Sequence, residues 1–216
     1  AELKEDGTPS WFEFNWHLRN QRVRLVELVQ TRGNFEADQC DADWGIVTGG
    51  IGASVQDALA MGYRLGFVGG TDNHAGFPTR APALEQAFVG MACVLAEDLT
   101  RESIWQAMDA RRTYATSGKP ILAHWRVNGH ELGQEATLTN DRVTFAARLH
   151  GTAPIERVEV ISAGQVVWRT HPDAYDVILE DETLPSPRGQ SAYYYLRLRQ
   201  HDGHRAWLSP VWLDRA

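Results

Sequence analysis

Leu65-Gly66-Phe67-Val68-Gly69-Gly70-Thr71-Asp72-Asn73-His74 is the stretch from which the fold of this chain is read. A short apolar run ends in two glycines and then in Asp-x-His. On an extended backbone, residues i and i+2 point to one side, so Asp72 and His74 converge just past the end of a buried strand. Strand ends of this kind hold metals in barrel enzymes, because the strands are rigid and their carboxyl ends face the pocket. One oxygen and one nitrogen donor suit a divalent metal (zinc, manganese or iron) and leave positions open for water. Thr71 and Asn73 flank the pair and can orient it as hydrogen-bond donors. The alternative is a polar turn in which Asp72 caps the following backbone and His74 lies on the surface.

The rest of the 216 residues bounds what such a site can do. A net charge of −7 and the lack of a basic stripe argue against a nucleic-acid partner. No apolar run approaches the roughly 18 residues of a membrane span. The opening Ala1-Glu2-Leu3-Lys4 lacks a methionine and a charged-then-apolar leader, and reads as a cut end. Cys40 and Cys93 are too few for a disulfide framework and read as free thiols. Compartment stays open.

Around the Asp-x-His stretch the chain has two grammars. Within residues 1–119, strand-like and helix-like segments alternate. Residues 24–29 read as a strand ending at Gly33-Asn34, and Ser54-Val55-Gln56-Asp57 is a capping box opening a helix over 55–61 that Gly62 closes. Residues 91–95 read as a third strand, and Thr100 caps a helix with Ile104, Met108 and Arg111 on one stripe. This alternation predicts parallel βα units. Residues 120–216 instead show short alternating runs at 122–127, 142–149, 157–161, 165–168, 176–179, 193–199 and 205–208. Asp202-Gly203 marks a tight hairpin, and the whole predicts a small antiparallel β-sandwich.

Residues 62–74 resemble the last metal-binding motif of the PHP (polymerase and histidinol phosphatase) superfamily, most closely its carbaryl-hydrolase-like branch. Residues 26–36, 110–118 and 205–212 are similar to the strand before that motif, the closing helix with its exit, and the end of an appended β-domain. The resemblance implies a distorted βα barrel carrying two or three divalent metals that hydrolyse phosphate, carboxylate or carbamate esters. His17 and His74 are the only histidines before residue 120, and no His-x-His occurs. The expected fold class is therefore α/β plus all-β: the C-terminal half of a PHP-type barrel over 1–119, then a β-sandwich over 120–216. Half a barrel leaves strand edges open, so the missing N-terminal half or a second copy of the chain is an expected partner. A small-molecule ester is the expected substrate.

Other residues join the candidate site on the same reading. Glu27 lies within an apolar run, where an unpaired carboxylate is costly, and can serve as metal ligand or as water-activating base. Glu36 can complete the shell or move a proton, or it is a solvated loop acid. Arg32 stands where relatives, on this resemblance, carry a histidine, and a cation there suits an anionic substrate. Arg80 can clamp a phosphate or carboxylate. A non-catalytic alternative rests on Trp125, Trp168, Trp207 and Trp212 with Tyr193 to Tyr195. Flat rings can form a carbohydrate-stacking face, or they can fill a sandwich core.

Overall fold

The computed structural model describes residues 16, 22–37, 53–72, 74 and 89–215. Arg80, Asn73, His17 and Cys40 lie outside the described residues. Strand β1 (Leu25–Gln30), strand β2 (Gly33–Asn34), helix α1 (Val55–Ala60) and strand β3 (Gly66–Gly69) form a three-stranded sheet of order β2-β1-β3 with its helix. Helix α1 begins where the capping box places it. The Ser54 hydroxyl accepts from the Asp57 N–H at 3.2 Å, and the Asp57 carboxylate accepts from the Ser54 N–H at 2.9 Å. Met61 caps the other end, and Gly62 follows at φ +84°, a conformation that glycine adopts without penalty. Val55, Ala58 and Leu59 are buried, which seats α1 as a crossover between β1 and β3. These two strands are parallel, with Val26 opposite Phe67 and Glu27 opposite Val68.

The βα pattern goes no further. Strand β4 (Met91–Val94), helix α2 (Arg101–Asp109) and strand β5 (Thr113–Thr116) look like a second parallel unit, but β4 and β5 are antiparallel, Met91 opposite Thr116 and Val94 opposite Thr113. Helix α2 explains why. A crossover helix must bury an apolar stripe on the sheet face, yet only Ala107 of α2 is buried, and Trp105 stands exposed. The expected half-barrel of PHP type is therefore wrong: the described residues contain two helices and are mostly strand.

Nine more strands follow: β6 (Leu122–Val127), β7 (His130–Glu131), β8 (Glu135–Leu138), β9 (Val143–Ser162), β10 (Gln165–Thr170), β11 (Ala174–Leu184), β12 (Ser191–Gln200), β13 (Arg205–Leu208) and β14 (Val211–Arg215). With β4 and β5 they make one curled eleven-stranded sheet, of order β4-β5-β13-β12-β9-β6-β7 along its main path. Strands β10 and β11 pair with β9, and β14 joins β12 to β8. The small separate sandwich is replaced by this sheet, which continues across residues 119 and 120 because β5 pairs with β13.

The runs at 142–149 and 157–161 are two halves of β9, a single strand of 20 residues. Its first half pairs with β6 and β11, and its second half with β12 and β10. Between them the strand bends at Gly151, where a Cβ would lie 2.3 Å from the Ala153 carbonyl oxygen. The Gln200 side chain braces the bend, accepting from the Thr152 N–H at 2.8 Å and donating to the Thr152 hydroxyl at 3.1 Å.

The hollow of the curl and the small sheet share one apolar core. Leu28, Val55 and Phe67 pack in the same cluster as Trp125, Phe145, Tyr195, Leu198 and Trp207. Phe67 meets Tyr195 edge to face at 5.3 Å between centroids. Ser209 pins the two sheets: its hydroxyl accepts from the Phe67 N–H at 2.8 Å and donates to the Thr113 carbonyl at 2.5 Å.

Candidate active site

The ends of β1 and β3 carry the candidate site. The Gly70 N–H donates to the Val29 carbonyl at 3.0 Å, extending the parallel pairing by one bond before the chain turns away. Asp72 and His74 have φ of +49° and +50°, so both are in the left-handed region, and a turn brings them together where an extended strand was expected. The result is the expected meeting of side chains by another route: His74 Nε2 lies 2.7 Å from Asp72 Oδ1.

The opposite carboxylate oxygen is held from β1. Asp72 Oδ2 accepts from Gln30 Nε2 at 2.8 Å and from Arg32 Nη2. The Gln30 carbonyl oxygen in turn accepts from the Arg32 backbone N–H at 2.7 Å. Arg32 reaches this position because the β1–β2 connection is a tight turn closed by Gly33 at φ +131°. The Asp72 side chain is 20% exposed and that of His74 is 81% exposed. The carboxylate is thus anchored while the imidazole faces solvent.

Glu27 belongs to the same group. A Cβ on Gly70 would lie 2.1 Å from Glu27 Oε1, so the glycine makes room for that carboxylate. Partial burial pushes the Glu27 carboxyl up, the nearby Asp72 charge adds to this, and Arg32 opposes it. Asp72 moves the other way. Desolvation works upward on it, but the His74 hydrogen bond, the Arg32 charge and the Gln30 hydrogen bond prevail and hold it below the usual carboxylate range. Two neighbouring carboxyls with separated proton affinities are the arrangement that acid–base chemistry uses. Thr71 is half-buried beside them.

Glu36 is not in this group. It is fully buried beneath the small sheet, where Oε1 accepts from the Tyr195 hydroxyl at 2.6 Å and Oε2 from Arg197 Nη1 at 2.8 Å and Trp207 Nε1 at 2.9 Å. Both its oxygens are committed to packing partners on β12 and β13.

The described donors do not fit a metal centre by themselves. No three His, Cys, Asp or Glu side chains among the described residues stand close enough to hold an ion. Asp72 Oδ2 already carries a guanidinium and an amide, and a guanidinium beside the carboxylate repels a cation.

The chain matches, over residues 81–153, the family described as protein of unknown function (DUF3604). It is 28% identical to an uncharacterised Chlamydia muridarum protein, over 93% of this chain and 35% of that protein. An uncharacterised Chlamydia pneumoniae protein is 32% identical over 74% of this chain and 29% of that protein. The chain spans about a third of the length of the curated relatives it matches. No solved structure matches it.

Gln30 escaped the sequence reading, although a buried glutamine closing the apolar run of β1 was its visible signal. Trp125, Trp207 and Trp212 are buried in the core, and Trp168 is partly buried against Phe145 at 4.9 Å. Cys93 is a half-buried free thiol, pushed up by burial.

Proposed function

We propose that this chain supplies the proton-handling wall of a hydrolase active site that cleaves small anionic esters of the phosphate, carboxylate or carbamate type. The observation that carries the reading is the grouping of Glu27, from the middle of β1, with Asp72 and His74, which follow the end of the parallel strand β3, and with Arg32 beside them. Asp72 accepts the His74 Nε2 proton and fixes that tautomer, which leaves Nδ1 as the base that takes a proton from water. The water oxygen bonds to the phosphoryl or acyl centre, and the bond to the leaving oxygen breaks. Glu27, with its raised proton affinity, returns a proton to that oxygen. Arg32 offsets the negative charge of the substrate.

The PHP resemblance of residues 62–74 supports a hydrolase. The test is hydrolysis of aryl phosphates, esters and carbamates by the natural protein that carries this segment, with zinc, manganese or iron added in turn. In Asp72→Asn and His74→Ala, kcat/KM should fall by about 100-fold or more. Unchanged rates in both variants would remove the reading.

A further inference from the structure

The other end of the small sheet borders an open cleft. Residues leading into β1 and β3, together with one side of α2, line this cleft of about 1120 Å³. Strand β1 has six residues, which at about 3.3 Å each separates this cleft from the Asp72 group by roughly 20 Å. Four arginines and two carboxylates line it, in a chain whose net charge is −7.

Three of those arginines have defined settings. Arg111 is buried, at φ +59°, with its guanidinium 5.1 Å from the Trp212 ring centroid. Its Nη2 donates to Glu135 at 2.7 Å and its Nε to the Gly133 carbonyl at 3.0 Å, but Nη1 is buried with no hydrogen-bond partner. Arg64 binds Glu135 at 2.5 Å and both oxygens of Asp214 at 2.8 Å. Arg24 is 44% exposed and holds Asp109 through one bond of 3.3 Å, a pairing that solvent weakens. Burial lowers the Arg111 pKa and Glu135 opposes this, while the Arg24 and Arg64 charges lower it further. Beside them, Trp105 is 64% exposed on α2, with Met108 one turn along the same wall.

We propose that this cleft binds a small aromatic anion, an aryl phosphate or aryl carboxylate, with its anionic group between Arg24 and Arg111 and its ring on Trp105. An anion there offsets the like charge that Arg24 and Arg64 set beside Arg111. The flat indole provides a stacking surface that a bare phosphate does not use.

Titration calorimetry of the purified protein with phenyl phosphate, benzoate and inorganic phosphate tests this. Phenyl phosphate or benzoate should bind, and whichever binds more tightly identifies the preferred anion. Arg24→Gln should weaken it about tenfold. Trp105→Ala should weaken the aryl ligands several-fold and leave inorganic phosphate unchanged. Both residues are exposed, so the folds of the variants should survive, as circular dichroism will verify. Arg126→Gln, at an exposed arginine of β6 outside the cleft, should bind as the wild type does. Three results would each overturn the proposal: no binding of either aryl anion at millimolar concentration, undiminished binding in Arg24→Gln and Trp105→Ala, or an equal loss of binding in Arg126→Gln.

Discussion

Glu36→Ala is expected to lower folding stability by about 3–5 kcal/mol, because it strips one partner from a buried ion pair. The carboxylate is fully buried between Tyr195, Arg197 and Trp207. Arg197 also binds Glu159, likewise fully buried, with Nε at 2.8 Å and Nη2 at 2.7 Å, and Glu159 receives Arg169 Nε at 2.6 Å. Gln56 reaches the Tyr195 hydroxyl at 2.7 Å, which ties α1 to the same chain of bonds. Burial alone would lower the affinity of Arg197 for its proton, but Glu36, Tyr195 and Glu159 reverse this and keep it charged. In the variant, the Arg197, Trp207 and Tyr195 donors lose the Glu36 acceptor in a place water does not reach.

Urea unfolding checks this expectation. A midpoint near that of the wild type would mean that Glu36 does not clamp the small sheet to the large one. The comparison also separates two roles for this residue. A catalytic Glu36 would lose activity with stability intact, whereas a clamp loses stability first.

The contrast between Glu36 and Asp72 shows where the sequence is readable. Asp72 meets groups two residues away in His74, on an adjacent strand in Gln30 and in the turn after it in Arg32, so a local motif points to it. The partners of Glu36 are 159 to 171 residues distant. Nothing local in Gly33-Asn34-Phe35-Glu36 distinguishes a buried acid from a solvated one. The one signal was an arginine among apolar residues in Tyr195-Leu196-Arg197-Leu198, which needs an inward acid to match it.

The same division runs through the fold. The start of α1, the Thr100 cap of α2 and the turn between β12 and β13 follow from contacts within a few residues, and all three stand where the sequence puts them. Pairing partners do not. Met91 to Val94 reads the same as a parallel or an antiparallel strand, and only the polar sides of α2 hint that no sheet lies beneath it. Strand β9 reads as two strands because Gly151 and Pro154 are turn residues, and here they mark a bend in one.

The second large effect is expected where the two sheets touch behind the candidate site. A Cβ on Gly90 would lie 2.0 Å from the Val29 carbonyl oxygen, 2.5 Å from that of Gly70 and 2.6 Å from the Gly70 nitrogen. All three atoms are backbone, and the Gly70 N–H and Val29 carbonyl are themselves hydrogen-bonded at 3.0 Å. No rotamer change can make room, so Gly90→Ala must push β4 away or break that bond, at a cost of about 3 kcal/mol. Gly70→Ala is the internal control. Its Cβ would also be crowded, at 2.1 Å, but by Glu27 Oε1, the free end of a side chain that can swing aside. Its stability loss should stay below about 1 kcal/mol, while Glu27 leaves its place beside Asp72. Denaturant midpoints should therefore fall steeply for Gly90→Ala and little for Gly70→Ala. Hydrolytic rates measured well below either midpoint should suffer in both variants. In Gly90→Ala the strand end that leads to Asp72 is displaced, whereas in Gly70→Ala only the Glu27 carboxyl, proposed to return the proton, moves. A Gly70→Ala protein with an unchanged pH–rate profile would remove Glu27 from the mechanism and leave Asp72 and His74 to act without it.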